Sequence, residues 1–273
     1  MPELPEVETV RKTLKNMILG RKITSIDVHY SKIIKDLNVK DFKLKLVGKT
    51  FKDIQRYGKY LIFVLDDIAL ISHLRMEGKY FLKNQSEKLE KHEHIIFNFD
   101  DGGSLRYHDV RKFGTMDLRN LEDIHTTNPI HKLGLEPFDD KMSVPYLKSK
   151  LQKRSTAIKT CLLDQHIVTG LGNIYVDEVL FLSKLNPKLS AANLKSNDYK
   201  NIIENSRNVL NKAIKLGGTT IRSYTSSLGV TGLFQNELNV HTKKGEPCPV
   251  CNTTIEKTKV NGRGTYFCPI CQK

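Results

Sequence analysis

The chain has 273 residues, enough for one large domain or two smaller ones with cores of their own. Its 44 Lys and Arg against 30 Asp and Glu leave a formal charge of +14. An excess of that size favours a polyanionic partner (nucleic acid, an anionic membrane or an acidic protein), with a merely basic enzyme as the plain alternative. No run of about 18 apolar residues is present to span a bilayer. The opening PELPEVE has no basic region leading into an apolar stretch, so a cytoplasmic protein without a secretory signal is expected.

In chain order, Val7, Val10, Leu14, Met17 and Ile18 fall at helical spacing and predict a helix over 5–18. Pro5 suits its first turn and Gly20 its end. From Ile23 to about Leu118 the texture changes to short apolar runs, YLIFVL at 60–65, IALISHL at 68–74 and HIIFNF at 94–99, punctuated by Asp, Gly and Lys. Closely spaced strands of this kind predict an antiparallel sandwich or barrel. Pro129, Gly134, Pro137 and Pro145 cluster at a domain boundary. Beyond it, helices are predicted over 144–153, 156–164, 174–185 and 198–216, the last stopped by Gly217-Gly218, and short strands carry the end of the chain from about 232. The order implies an α+β chain divided as 1–130, 131–231 and 232–273.

Four of the five cysteines lie in CPVC at 248–251 and CPIC at 268–271, with 16 residues between the pairs. A Cys-x2-Cys turn points two thiolates at one ion, and a second such turn completes a tetrahedron. Cys248, Cys251, Cys268 and Cys271 are therefore expected to hold one structural zinc, with no coordination position open to water. A redox pair fits less well, because no βαβ pattern surrounds either turn. Cys161, alone in an apolar segment, reads as a small buried hydrophobe, and the odd count argues against a disulfide framework. Between the pairs, a hairpin presents Arg263 between Gly262 and Gly264. Flanking glycines would let its backbone approach a phosphate closely, although a solvated loop arginine is the commoner case. Upstream, Thr169-Gly170-Leu171-Gly172 leads into a helix at Asn173. That turn is either an anion site for one phosphate or a simple helix cap.

Seven segments match one family in order and spacing. They are PELPEVE at 2–8, RYGKYL at 56–61, HLRMEGKY at 73–80, KHEH at 91–94, DVRKFGT at 109–115, GLGNIYVDE at 170–178 and the cysteine ribbon with its arginine. Together they resemble the bacterial formamidopyrimidine-DNA glycosylase family from residue 2 to the last cysteine. The resemblance implies an N-terminal β-sandwich with flanking helices, a helix–two-turn–helix domain and a zinc-ribbon finger. It implies a monomeric base-excision-repair enzyme, cytoplasmic and acting at the nucleoid. Such an enzyme would bind duplex DNA containing oxidised bases, with zinc but no small-molecule cofactor and no membrane partner.

The resemblance also implies roles. Pro2, freed by removal of Met1, is the nucleophile; an α-amino group has a pKa near about 8, so a useful fraction is unprotonated at neutral pH. Glu3 protonates the opening sugar ring and Glu6 is a weaker candidate for proton handling; read alone, the two suit the first turn of any helix. Lys59 accompanies the proton transfer of β-elimination and also sits where a phosphate could be held, and Arg263 is tied to δ-elimination and phosphate binding. DNA contacts fall on His92, Arg111, Arg154 and Asn173. Met76, Arg111 and Phe113 fill the hole left by an everted base, although out of context Met76 and Phe113 would more often be core. GGTTIRSY at 217–224 resembles a loop that closes over the lesion. Position 154 is arginine where many relatives carry lysine, which keeps the charge but not the geometry. Two rivals stay open: an endonuclease VIII-like enzyme for oxidised pyrimidines, and a non-catalytic DNA-binding protein should Met1 be retained. PELPE and the Met76, Arg111 and Phe113 set favour the purine branch.

Overall fold

The computed structural model describes residues 1–219 and 232–273. Helix α1 (Leu4–Ile18) opens on a capping box, in which Glu6 Oε2 accepts the Glu3 backbone N–H at 2.8 Å. Val7, Val10, Leu14 and Ile18 form its buried stripe. Eight strands follow, β1 (Ile23–Val28), β2 (Asp53–Tyr57), β3 (Tyr60–Val64), β4 (Ile68–His73), β5 (Lys79–Asn84), β6 (Glu93–Phe99), β7 (Gly103–His108) and β8 (Thr115–Asn120). They make two antiparallel four-stranded sheets of order β1-β6-β7-β5 and β2-β3-β4-β8. Aromatic rings join the sheets through one core: Phe63 of β3 meets Tyr80 of β5 at 5.3 Å, and Phe51 touches both Phe63 and Phe99.

Helix α2 (Val39–Leu46) interrupts this region, where the sequence reading anticipated only strands. Its cause is local. Asn38 accepts the Asp41 backbone N–H at 2.9 Å as a helix cap, and Phe42 and Leu46, one turn apart, are both fully buried. Lys40, Lys43 and Lys45 interleave with these residues and mask that spacing in the sequence.

The chain divides into two compact units. The first contains residues 1–132; the second contains residues 133–219 and 233–273. In the second lie α3 (Val144–Leu151), α4 (Ile158–Leu163), α5 (Asn173–Leu182), α6 (Ser196–Lys215) and the hairpin β9 (Glu256–Val260)–β10 (Arg263–Phe267). Cys161 is buried on α4, and burial pushes its thiol pKa up. Helix α6 stops where Gly217 and Gly218 take φ of +74° and +80°. Just beyond, the Leu233 N–H bonds the Leu216 carbonyl at 2.9 Å and the Phe234 N–H bonds the Gly218 carbonyl at 3.0 Å. The GGTTIRSY segment continues, from residue 220, outside the described residues. Among the described residues, no helix is long and apolar enough to cross a membrane.

Candidate functional site

In the first unit, Pro2 is buried beside Glu3, which is 3% exposed. The start of α1 is fastened to the strand that leads to Lys59. Arg56 on β2 pairs with Glu8 at 3.1 Å and donates to the Gly58 carbonyl at 3.0 Å, while Arg11 donates to the Ile54 carbonyl at 3.1 Å. Burial alone would raise the Glu8 carboxyl, but hydrogen bonds and charge from Arg11 and Arg56 hold its pKa below the usual range. Lys59 occupies the turn between β2 and β3 and is only 4% exposed. A solvated lysine, the ordinary reading of one basic residue before a strand, is therefore excluded.

Two exposed turns of the same unit carry the remaining candidates. Met76 is 37% exposed and Phe113 53%, so neither belongs to the core. The Arg111 guanidinium lies over the Phe113 ring at 4.8 Å, whereas Lys112 lies over Tyr30 at 4.7 Å. The Met76 turn is set by His73, whose Nδ1 accepts the Arg75 N–H at 2.9 Å. That imidazole packs edge-on against Tyr60, and its pKa is lowered to about 3 by burial first, then by the charges of Arg75 and Lys59. It is neutral at physiological pH. His92 takes a φ of +75°, and its ring meets those of His94 and His108. The loop before it is organised by buried Arg106, which pairs with Glu93 at 2.9 Å and donates to the carbonyls of Asn84, Glu87 and Lys88.

In the second unit Asn173 and the finger hairpin come together: Asn173 Nδ2 donates to the Gly264 carbonyl at 3.0 Å, one residue from Arg263. The same carbonyl accepts from Lys159 Nζ at 2.9 Å. Lys159 is fully buried against Asp177 at 2.7 Å, and the other Asp177 oxygen meets His241 Nδ1 at 2.7 Å. Glu178, next on α5, accepts the N–H groups of Asn239, Val240 and His241 and the Asn239 side-chain amide. Two adjacent buried carboxylates thus clamp the finger and the segment before it onto α5. Arg263 itself is exposed at the head of β10. A methyl group added to Gly264 would meet only the end of Lys257, at 3.7 Å, so internal packing does not demand this glycine. Arg154 is turned elsewhere, to Asp164 at 3.6 Å and the Lys150 carbonyl at 3.1 Å.

The four cysteines of the finger converge, with every Sγ within 4.8 Å of the others. Cys248 and Cys271 are 3.9 Å apart, Cys251 and Cys268 3.5 Å. A tetrahedral ion with Zn–S bonds of about 2.3 Å sets its sulfurs about 3.8 Å apart, so the set fits zinc. Among bare thiols, hydrogen bonds from Thr253 lower Cys251 to about 6, while burial and the neighbouring sulfurs push Cys271 up to about 12. Four thiolates held this closely need a cation among them. They would also occupy every position of a tetrahedral zinc, leaving it a structural part of the hairpin.

Comparison with known proteins gives three consecutive matches: the formamidopyrimidine-DNA glycosylase N-terminal domain over residues 1–116, its H2TH domain over 133–225, and the zinc finger found in FPG and IleRS over 245–273. The chain belongs to the formamidopyrimidine-DNA glycosylase family. It is 49% identical to the formamidopyrimidine-DNA glycosylase of Bacillus cereus over 273 residues, covering all of this chain and 99% of that one. It is 48% identical to that of Halalkalibacterium halodurans, with both chains covered completely. Among solved structures, Lactococcus lactis Fpg in complex with abasic-site DNA matches with a TM-score of 0.93 at 46% identity. A point mutant of that protein bound to Fapy-dG DNA gives 0.94 at 46%; both structures cover both chains completely. For this family member, the buried supports His73, Arg106, Lys159 and Asp177 escaped the sequence reading. A charged residue inside an apolar run, as in IKTCLL or NIYVDEVLFL, was the available signal for the last two.

Proposed function

We propose that this family member excises oxidised purines, 8-oxoguanine and formamidopyrimidines, from duplex DNA and cleaves the strand by β,δ-elimination through Pro2. The observation that carries the reading is the buried Glu3–Glu6 box directly after Pro2, in a chain that matches its relatives along its whole length. With Met1 removed, the Pro2 nitrogen forms a bond to C1′ as the bond to the base breaks, and the base leaves with the electron pair and takes up the proton that the Pro2 nitrogen gives up. Glu3 protonates the ring oxygen as the sugar opens. The adduct is an iminium on a secondary amine. It has no N–H to lose, stays cationic, and draws in the electrons released when the C2′ proton departs. The C3′–O bond then breaks. Loss of the C4′ proton and the C5′–O bond completes δ-elimination, and water releases Pro2.

Lys59 attends the first elimination and Arg263 the second. Asn173, His92 and Arg154 hold phosphates. Met76 and Phe113 plug the stack while Arg111 bonds the orphaned base; the exposure of the two apolar residues supports this. The enzyme acts as a monomer, and the zinc, held by the four cysteines, stiffens the hairpin that carries Arg263.

Borohydride tests the reading. It should trap a covalent complex with lesion-containing DNA, and Pro2→Gly should trap far less, with N-terminal mass analysis verifying that Met1 is absent. Equal trapping would move the nucleophile elsewhere, Lys59 first. Excision of oxidised pyrimidines is the second reading, favoured by a complex of Lactococcus lactis Fpg with oxidised-pyrimidine DNA that matches at a TM-score of 0.92. Comparing excision from 8-oxoguanine·C and thymine-glycol·A duplexes separates the two.

A further inference from the structure

The Met76 turn and the Arg111–Phe113 turn meet at one buried hydroxyl. Tyr107, on β7 and fully buried, directs its O–H at Asp109 Oδ2, 3.4 Å away. On one side the oxygen lies against Gly78, where an added methyl carbon would stand 2.3 Å from it; on the other it lies against Gly114, where the same carbon would stand 1.6 Å away. Both distances are far inside van der Waals contact, so the hydroxyl leaves no room for a side chain at either position, and at Gly78 the Leu74 carbonyl, 2.6 Å from the same carbon, closes the space as well. Asp109, itself fully buried, continues the arrangement. Its Oδ1 accepts the Arg111 N–H at 3.0 Å, and its Oδ2 accepts the N–H groups of Phe113 at 2.9 Å and Gly114 at 2.8 Å. One carboxylate therefore fixes the backbone of the second turn, while the hydroxyl bonded to it abuts the glycine that closes the first. That glycine's own N–H is held by the Leu74 carbonyl at 2.9 Å.

We infer that Tyr107 and Asp109 are positioning residues that tie the two turns into one rigid presenter, so that Met76 and the Arg111–Phe113 pair enter the duplex together. Neither side chain reaches solvent and neither can touch DNA. Each acts through the exposed residues it holds. The Asp109 side chain accepts three backbone N–H groups and the tyrosine O–H, and a buried hydrogen-bond network of this kind rigidifies the turn it holds. The inference rests on the proposed insertion of Met76, Arg111 and Phe113 into DNA, and the test keeps the two apart.

Excision from 8-oxoguanine opposite C and opposite A is measured for Tyr107→Phe, Asp109→Asn, Arg111→Ala and Tyr80→Phe, with amide hydrogen exchange of the free proteins alongside. Tyr80→Phe is the control, because it removes a buried hydroxyl bond to Ser72 (2.7 Å) from the adjacent ring of the same core without touching either turn. Tyr107→Phe is expected to lower the C-over-A ratio about threefold to tenfold, the range one buried hydrogen bond commands. Asp109→Asn should lower it at least as much. In Tyr107→Phe, exchange should speed up at both 74–78 and 111–114, while Tyr80→Phe leaves the ratio and both turns as they were. If Arg111→Ala lowers the ratio but Tyr107→Phe and Asp109→Asn do not, the positioning role falls and the insertion reading stands. Should Arg111→Ala leave the ratio unchanged, the insertion reading falls. Faster exchange confined to 111–114 shows two independent turns and overturns the tie.

Discussion

Arg111 and Lys112 are neighbours of the same charge on one exposed turn, yet they are held on different rings, Phe113 for the first and Tyr30 for the second. Charge alone would make them equivalent; direction does not. Arg111→Ala is expected to erode opposite-base discrimination by about fivefold to 150-fold, since a bidentate base contact is worth about 1–3 kcal/mol. Lys112→Ala should leave the ratio intact, and paired excision assays opposite C and A check both. His73 gives a prediction in pH. Its folded pKa of about 3 lies below the ordinary 6.5, so in between the unfolded chain binds the proton that the folded chain refuses. Stability from this residue is therefore complete above pH 6.5 and lost as pH falls towards 3, by at most about 1.4 kcal/mol per pH unit. His73→Asn keeps an acceptor for the Arg75 N–H but cannot titrate. Its urea midpoint should fall less than that of the wild type between pH 7.5 and 5, and equal falls would refute the assignment. At this scale the sequence singled out exposed candidates more readily than the residues that support them. Met76, Arg111 and Phe113 were proposed from a family motif, and the structure shows Met76 and Phe113 exposed, while Asp109, inside the same motif, and Tyr107, just before it, look like unremarkable strand-end residues until the hydrogen bonds are seen.

Among the elements, the cysteine ribbon was the most legible, because a metal site dictates both residue type and spacing. Helix α2 was the least, because a helix of eight residues with two buried side chains leaves little periodicity to read. The ribbon's cysteines are also its core: Cys248 and Cys268 are buried among Phe181, Val240 and Ile255, with Cys251, Tyr266 and Cys271 packed against them. Removing the ion takes away the bonds that hold this small cluster, whereas the sandwich has a separate and larger core of its own. Chelation is accordingly expected to abolish tight DNA binding while the sheet signal in circular dichroism persists. Undiminished binding by protein verified as metal-free would remove the structural role of zinc. The buried clamp of Lys159, Asp177 and Glu178 holds the hairpin and the stretch before it against α5, next to the direct bond from Asn173 to Gly264. Its members come from α4 and α5, and their partners in the finger and the stretch before it are brought to them only by folding.

For the molecule as a whole, the charge of +14 sets a sequence-independent attraction to DNA that salt must weaken. Deleting one phosphate-binding side chain should flatten the slope of log K against log salt by about 0.9. Lys59→Ala, Arg154→Ala and Arg263→Ala, titrated against undamaged duplex at several salt concentrations, are expected to do so by similar amounts. An unchanged slope for one of them would take that residue off the backbone. Composition pointed to a polyanion and the boundary prolines to a divided chain, but neither could reveal the two hydrogen bonds joining Leu233 to Leu216 and Phe234 to Gly218. These bring the described residues on either side of 220–231 together at the foot of α6. Ends held together in this way set the closure distance for whatever joins them, and doubling the length of a flexible joining segment costs only about 0.6 kcal/mol in closure entropy. A change of chain length between the two anchored ends is therefore expected to cost the fold little.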